Sequence, residues 1–303
     1  MTVSFIFPGQ GSQYIGMGKD LYDNFPISRE IFDKAEAILD LPIKEYCFNG
    51  PAEVLKKTVI CQPAIFVTSI AALSALQSKL PIFPAYVLGL SLGEYSALVA
   101  AKVLKFEDAL YLVKKRAELM EEEAKKSQGA MWAVIGLDRD ILQDICRELK
   151  DVYIANLNTA DQIVLSGLKE KTEALKKLCL EKGAKKVIEL EVSGAFHSPF
   201  MREASERFKE FLKEVDFSFT QIPLVSNVDA QPKTEPEQIK EALIRQIYSS
   251  VFWEDAVKFV ISKGVTSFYE IGAGKVLKGL IRKINPGVEV INIESAQDIV
   301  RLF

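Results

Sequence analysis

The feature that most constrains the fold is an alternation of short apolar runs, turn residues and helical stretches. Val3 to Phe7 ends at Pro8-Gly9, and Ala85 to Leu88 ends at Gly89. Helical stretches are expected from about Gly16 through Leu39, Pro63 to Leu80 (with Gln62 just before it), Leu92 to Val103 and Phe106 to about Lys126. Strands this short and apolar, separated by helices, predict an α/β fold with a parallel sheet. The middle of the chain changes rhythm. Ala130 to Gly136, Val152 to Leu157, Gln162 to Gly167 and Lys185 to Val192 read as strands, and Arg139 to Lys150 and Lys169 to Lys182 as helices. That order, βαββαβ, is the ferredoxin-like motif. It predicts a small inserted subdomain over 128–197, within a large subdomain made of 1–127 and 198–303. A helix is then expected from Pro199, with Ser198 as its cap and proline at the first helical position. Further strands are expected at Leu224 to Val228, Ser267 to Ile271 and Val288 to Ile293.

Composition narrows the function. A net charge of -3 with 26% charged residues lacks the basic excess of a nucleic-acid-binding protein. The start, MTVSFIFPGQG, has no basic region and only a brief apolar run, so no signal peptide is expected. No stretch reads as a membrane span, and the expected location is cytoplasmic. The four cysteines lie far apart, which suggests free thiols. With one histidine and no clustered cysteines, no metal site is expected.

The sharpest local motif is Gly89-Leu90-Ser91-Leu92-Gly93, placed where a buried strand gives way to a helix. By composition alone, G-x-S-x-G arises in roughly one chain in ten of this length. The strand-turn-helix context is what a nucleophile elbow requires, with glycines permitting the tight turn that lifts the serine hydroxyl out of the sheet. Serine needs a base to take its proton. The only histidine is His197, in a turn where the chain re-enters the large subdomain. If histidine activates Ser91, it is this one. No carboxylate stands out as a third member. Pro8-Gly9-Gln10-Gly11-Ser12-Gln13 follows the first strand. A dinucleotide loop fails there because Tyr14 occupies the third glycine position. An oxyanion hole from the backbone N–H groups of Gln10 and Leu92 is one reading, and an ordinary tight turn is the other. Arg116, within Lys114-Lys115-Arg116-Ala117-Glu118, reads on composition alone as part of a solvated helix face. Gly272-Ala273-Gly274-Lys275 lacks the full phosphate-loop pattern and reads as a strand-to-helix turn. Lys275, Lys278 and Arg282 beyond it are spaced for one helix face, a basic stripe or simply a solvated one.

Taken in order, these segments resemble the malonyl-CoA:acyl carrier protein transacylases and the acyltransferase domains of fatty-acid and polyketide synthases. The resemblance runs nearly the whole length. It rests on Phe7 to Gln13, Gln62-Pro63-Ala64, Gly89 to Ala97, Arg116, Gly129-Ala130-Met131, Asn156-Leu157-Asn158, Gly194 to His197, Ser226 to Ala230 and Glu270 to Lys275. It implies a hydrolase-like α/β large subdomain with the ferredoxin-like insertion. It further implies that Ser91 carries the acyl ester, His197 is its base, and Gln10 and Leu92 give the oxyanion N–H groups. Arg116 would hold the malonyl carboxylate, and the main-chain carbonyl of Gln246 would orient the histidine in place of an acid. Phe196 matches the malonyl-selective pattern. Leu90 departs from the usual histidine before the serine, and Ala273 from a proline in the tail motif.

The expected reaction is therefore ping-pong transfer of malonyl from malonyl-CoA, through a serine ester, to the phosphopantetheine thiol of acyl carrier protein. No cofactor is needed, no nucleic acid or membrane is expected as partner, and a monomer is the expected state. A polyketide acyltransferase differs only in its carrier. A serine esterase or thioesterase would use water instead.

Overall fold

The computed structural model describes residues 2–303. Its strands are β1 (Val3–Phe7), β2 (Tyr86–Gly89), β3 (Gly129–Ile135), β4 (Val152–Thr159), β5 (Gln162–Leu168), β6 (Lys186–Glu189), β7 (Leu224–Val225), β8 (Pro232–Lys233), β9 (Ser267–Ile271) and β10 (Glu289–Ile293). The larger sheet has the order β10-β9-β1-β2-β7-β8. All its pairings are parallel except that of the edge strand β8. Both faces of β1 are covered, which is why it reads as an unbroken apolar run. Phe5 and Phe7 enter one core and Ile6 the other, as the two-residue period of a strand demands. From β1 the chain first adds β2 and β7 on one side, then returns to add β9 and β10 on the other. The carboxyl ends of β1 and β2 therefore border a topological switch point, where open α/β sheets bind their ligands.

The second sheet has the order β4-β5-β3-β6, antiparallel throughout, with helices Arg139–Leu149 and Thr172–Glu181 between its strands. This is the ferredoxin-like arrangement that the strand order predicts. It has its own core, built on Trp132, Leu142, Leu165 and Leu175. Main-chain bonds tie β4 to the large subdomain: Val251 N–H donates to Ala155 O (2.8 Å), and Leu157 N–H donates to Val251 O (2.9 Å).

Several expected boundaries shift. The stretch Gly16 through Leu39 is two helices, Lys19–Asn24 and Pro26–Leu39, because Pro26 starts a new helix at its first position. The helix expected from Pro63 spans Thr58–Lys79, with Pro63 inside it. Proline there removes one main-chain hydrogen bond near the helix start, and packing carries the helix through. The same helix is long and apolar enough to cross a membrane, contrary to the expectation of no such stretch. Its most apolar window has a mean hydropathy of 1.9, and 89% of that window is buried inside the protein. It is the central core helix. The strand expected over Leu224 to Val228 is only Leu224–Val225, since Ser226 to Ala230 turns the chain back toward β8. Ser198 does not cap a helix as expected. Its hydroxyl donates to Ala195 O, closing the turn around His197, and Pro199–Met201 is a 3₁₀ turn before the helix Arg202–Lys213.

Candidate active site

Gly89 and Gly93 let the end of β2 and the start of helix Gly93–Ala100 lie almost in contact. A Cβ on Gly89 would sit 1.9 Å from the Gly93 carbonyl carbon, and one on Gly93 would sit 2.1 Å from Phe7 O. Between them Ser91 is held at φ 52°, in the left-handed region that a non-glycine residue enters only under constraint. The constraint is visible. Ser91 N–H donates to Asn227 Oδ1 (2.7 Å), and Asn227 Nδ2 donates to Gly89 O (2.7 Å), so one asparagine spans the elbow. His197 is likewise left-handed, at φ 57°. Two residues from distant parts of the chain thus adopt unfavourable backbone conformations to face each other.

Ser91 Oγ lies 2.8 Å from His197 Nε2, and His197 Nδ1 lies 2.8 Å from the Gln246 main-chain oxygen. A carbonyl can only accept, so Nδ1 carries the proton and Nε2 is left free to accept the Ser91 hydroxyl proton. Burial, and secondly the Arg116 charge, push the His197 pKa down to about 4. The imidazole is therefore neutral, the form a base needs.

Arg116 is 1% exposed, not on a solvated face. Helix Phe106–Ser127 packs against helix Thr58–Lys79, which turns the guanidinium into the site. Its Nη1 donates to Gln62 Oε1 (2.6 Å), and its Nη2 to Ser91 Oγ (2.8 Å) and Gln246 Oε1 (2.9 Å). Its guanidinium carbon is 5.7 Å from the centre of the Tyr95 ring. Burial lowers its pKa, opposed by Tyr95 and Glu94. Its Nε is buried with no partner among the described residues.

At the end of β1, a Cβ on Gly9 would sit 2.4 Å from Leu90 O. That close approach brings Gln10 beside the elbow. No acceptor for the N–H of Gln10 or Leu92 is found among the described residues, whereas the Ser91 N–H is occupied by Asn227. The site opens into a cavity of about 550 Å³, bordered by Gln10, Ser91, Leu92, Arg116, Phe196 and His197. Gln246, the seventh residue singled out by sequence, stands behind the histidine. Phe196 is buried at the cavity wall, and Leu90 also borders the cavity. Asn156 and Asn158 reach the cavity from β4, so the small sheet forms part of its wall.

Three residues carry contacts that sequence reasoning did not assign: the Gln62 side chain on Arg116, Asn227 across the elbow, and Glu94 behind both. Glu94 carries the clearest sequence signal of the three, as the lone charged residue in a helix that is otherwise apolar, aromatic, glycine or serine. The basic stripe is altered too. Lys275 precedes the helix Val276–Ile284 and pairs with Glu294 at 2.9 Å.

An elbow serine paired with a neutral histidine, at the switch point of a parallel sheet, is the architecture of enzymes that pass an acyl group through serine. The acyl transferase domain family matches residues 4–297, and the chain belongs to that family. It is an acyltransferase. It is 44% identical over 301 residues to a malonyl CoA-acyl carrier protein transacylase of Bacillus subtilis, covering 98% of this chain and 95% of the relative. It is 41% identical to one of Staphylococcus aureus, over 98% and 96%. Among solved structures, a type II PKS acyl-carrier protein in complex with its malonyl-transacylase superposes with a TM-score of 0.96 at 36% identity, covering 99% of this chain and 98% of that one. The malonyl CoA-acyl carrier protein transacylase of Coxiella burnetii gives a TM-score of 0.97 at 33% identity, over 100% and 96%.

Proposed function

We propose that the protein transfers malonyl from malonyl-CoA to the phosphopantetheine thiol of acyl carrier protein, supplying fatty-acid synthesis. The observation that carries this reading is the buried Arg116, hydrogen-bonded to the nucleophile itself. A cation at that position fits an acyl group that ends in a carboxylate.

In the first half-reaction Ser91 Oγ attacks the thioester carbon while its proton passes to His197 Nε2. The carbonyl oxygen, now an anion, accepts from the N–H groups of Gln10 and Leu92. Collapse breaks the carbon–sulfur bond, and the departing CoA sulfur takes the proton from Nε2. In the second half-reaction the carrier thiol gives its proton to Nε2 and attacks the Ser91 ester. Collapse then returns the proton to Ser91 Oγ. Throughout, Gln246 O accepts from Nδ1–H and strengthens that bond as the ring becomes cationic. A carbonyl suffices here because Nε2 must shed its proton again in each half-reaction.

Intact-mass measurement tests this directly. Malonyl-CoA should add one malonyl group to the protein, and acyl carrier protein should then remove it. Persistence of the adduct in the presence of carrier, with release only to water, would support a hydrolase instead. Likeness to a transacylase solved with a polyketide carrier favours a second acceptor class. Competing fatty-acid and polyketide carriers in one assay separates the two.

A pH consequence follows from the His197 environment. The base must be neutral, so activity falls as pH drops through its pKa of about 4. Arg116 is one cause of that depression. Arg116→Ala should therefore move the acid limb of acetyl loading to higher pH. An acid limb that does not move would remove the charge coupling between the two residues.

Phe196 is proposed to limit the acyl group. It is 5% exposed and adjacent to the base, so an α-methyl branch would meet its ring. Phe196→Ser should raise methylmalonyl relative to malonyl loading. Discrimination of one methyl is worth about 1–3 kcal/mol, or roughly 10- to 200-fold at most. An unchanged ratio in paired loading rates rules out steric exclusion by this ring.

A further inference from the structure

Glu94 lies three positions after the nucleophile, is 0% exposed, and has no part in the steps above. We infer that Glu94 is a positioning residue whose two carboxylate oxygens fix the Gln246 amide and the Asn227 main chain, and thereby hold Arg116 and Ser91 in register for malonyl. This rests on the proposed role of Arg116 as reader of the malonyl carboxylate.

The hydrogen bonds form one directed network. Glu94 Oε1 accepts from Asn227 N–H (2.6 Å), and the Asn227 side chain in turn spans Gly89 O and Ser91 N. Glu94 Oε2 accepts from Gln246 Nε2, which also donates to Ser91 O (2.8 Å). Both hydrogens of Nε2 are then committed to acceptors. Gln246 Oε1 is left facing Arg116 Nη2, and the Gln246 main-chain oxygen faces His197. The amide can be oriented only this way, because the reverse would aim an NH₂ group at a guanidinium and an oxygen at two oxygens. Gln246 is 0% exposed, as is Asn227, so water cannot repair a broken link. Both Glu94 oxygens face donors, which is what a carboxylate, and not a carboxylic acid, requires. Burial, the largest cause, outweighs the pull of the two donors and Arg116 and leaves the Glu94 pKa raised to about 8, so the carboxylate form rests on the two donors aimed at its oxygens.

Glu94→Gln keeps the shape and changes one oxygen to NH₂. The Asn227 N–H belongs to the main chain and cannot rotate, so the remaining oxygen stays there. The new NH₂ then opposes Gln246 Nε2, donor against donor. If the Gln246 amide turns over in response, its NH₂ faces Arg116 and its oxygen faces Ser91 O. In both arrangements the network that orders Arg116 is broken.

The test measures loading rates of malonyl-CoA and acetyl-CoA by intact mass on five proteins. They are the wild type, Glu94→Gln, Gln246→Leu, Arg116→Ala, and Glu94→Gln combined with Arg116→Ala. Glu94→Gln should lower the malonyl-to-acetyl ratio by about tenfold or more, the effect of one hydrogen bond to a charged group. The double variant should show no further fall in the ratio beyond Arg116→Ala, since residues acting through one another are not additive. A packing role alone lowers both acyl groups in equal proportion, and that result overturns the inference. If Glu94→Gln does not fold, Gln246→Leu carries the test. It keeps the main-chain carbonyl on His197, and an unchanged ratio there overturns the relay. An unchanged ratio in Arg116→Ala overturns the carboxylate reading itself, and the inference with it. A lowered ratio in Arg116→Ala with an unchanged one in Glu94→Gln overturns the Glu94 role alone.

Discussion

Ser91→Ala is expected to accumulate no malonyl adduct at any incubation time, and His197→Ala to load about 10²- to 10⁴-fold more slowly than the wild type. The geometry makes the first of these absolute. Ser91 Oγ alone lies within hydrogen-bond distance of both the Nε2 acceptor and the Arg116 cation. The neighbouring hydroxyls do not substitute. Ser96 is buried in the helix behind the elbow, and Ser12 Oγ is committed to Gly9 O (2.8 Å). Alanine at position 91 meets the same backbone constraint at φ 52° as serine, so the variant should fold. For His197→Ala, the Gln10 and Leu92 N–H groups proposed to bind the oxyanion, and Arg116, remain, so loading is expected to slow without vanishing. The two substitutions together should cost no more than Ser91→Ala alone, because they disable one machine. Time-resolved intact mass after malonyl-CoA addition reads all three proteins. An adduct on Ser91→Ala would transfer the nucleophile role to another residue.

The parts of this site that sequence makes legible are those whose signal is local. Gly89 and Gly93 announce the elbow because a Cβ on Gly89 is excluded by backbone four and five residues on, and one on Gly93 by the end of the adjoining strand β1. His197 stands out by being the only histidine. The ferredoxin-like insertion is visible because six elements in fixed order leave few topologies. Arg116 is different. Its neighbours Lys114, Lys115 and Glu118 make its helix look solvated, and only the packing of that helix on Thr58–Lys79 buries the guanidinium. The carboxylate-binding role proposed for it comes from family resemblance, not from periodicity. The Gln62, Glu94 and Asn227 contacts are harder still. They are set by hydrogen bonds across 133 residues, as between Asn227 and Glu94, and no local pattern encodes them. The core helix starts at Thr58, five residues before the expected Pro63, for a related reason. Proline ordinarily marks a first turn, and tertiary burial overrides that preference at Pro63.

Arg116→Ala is expected to lower kcat/KM for malonyl-CoA by about two orders of magnitude or more, while leaving acetyl-CoA unchanged or improved. Malonyl differs from acetyl by a carboxylate, and that anion cannot be buried near Ser91 without a partner except at high cost. The guanidinium is already buried and ordered by Gln62 and Gln246, so little side-chain freedom is lost when substrate arrives. Hydrogen bonds to charged groups contribute about 1.5–3 kcal/mol each, and a carboxylate accepts two from one fork. Two such bonds correspond to roughly 10²-fold at the low end. In the wild type a neutral acetyl group leaves the buried cation without an anion, and alanine removes that penalty. Arg116→Lys should recover only part of the malonyl rate. An ammonium supplies charge but cannot donate to Gln62, Gln246 and substrate in one plane, and its stronger hydration makes it costlier to bury. The measurement is loading of malonyl-CoA and acetyl-CoA side by side on both variants, with thermal unfolding to confirm that each is folded. If the two acyl groups decline in equal proportion, Arg116 serves the nucleophile and not the carboxylate, and malonyl selectivity must arise elsewhere in the cavity.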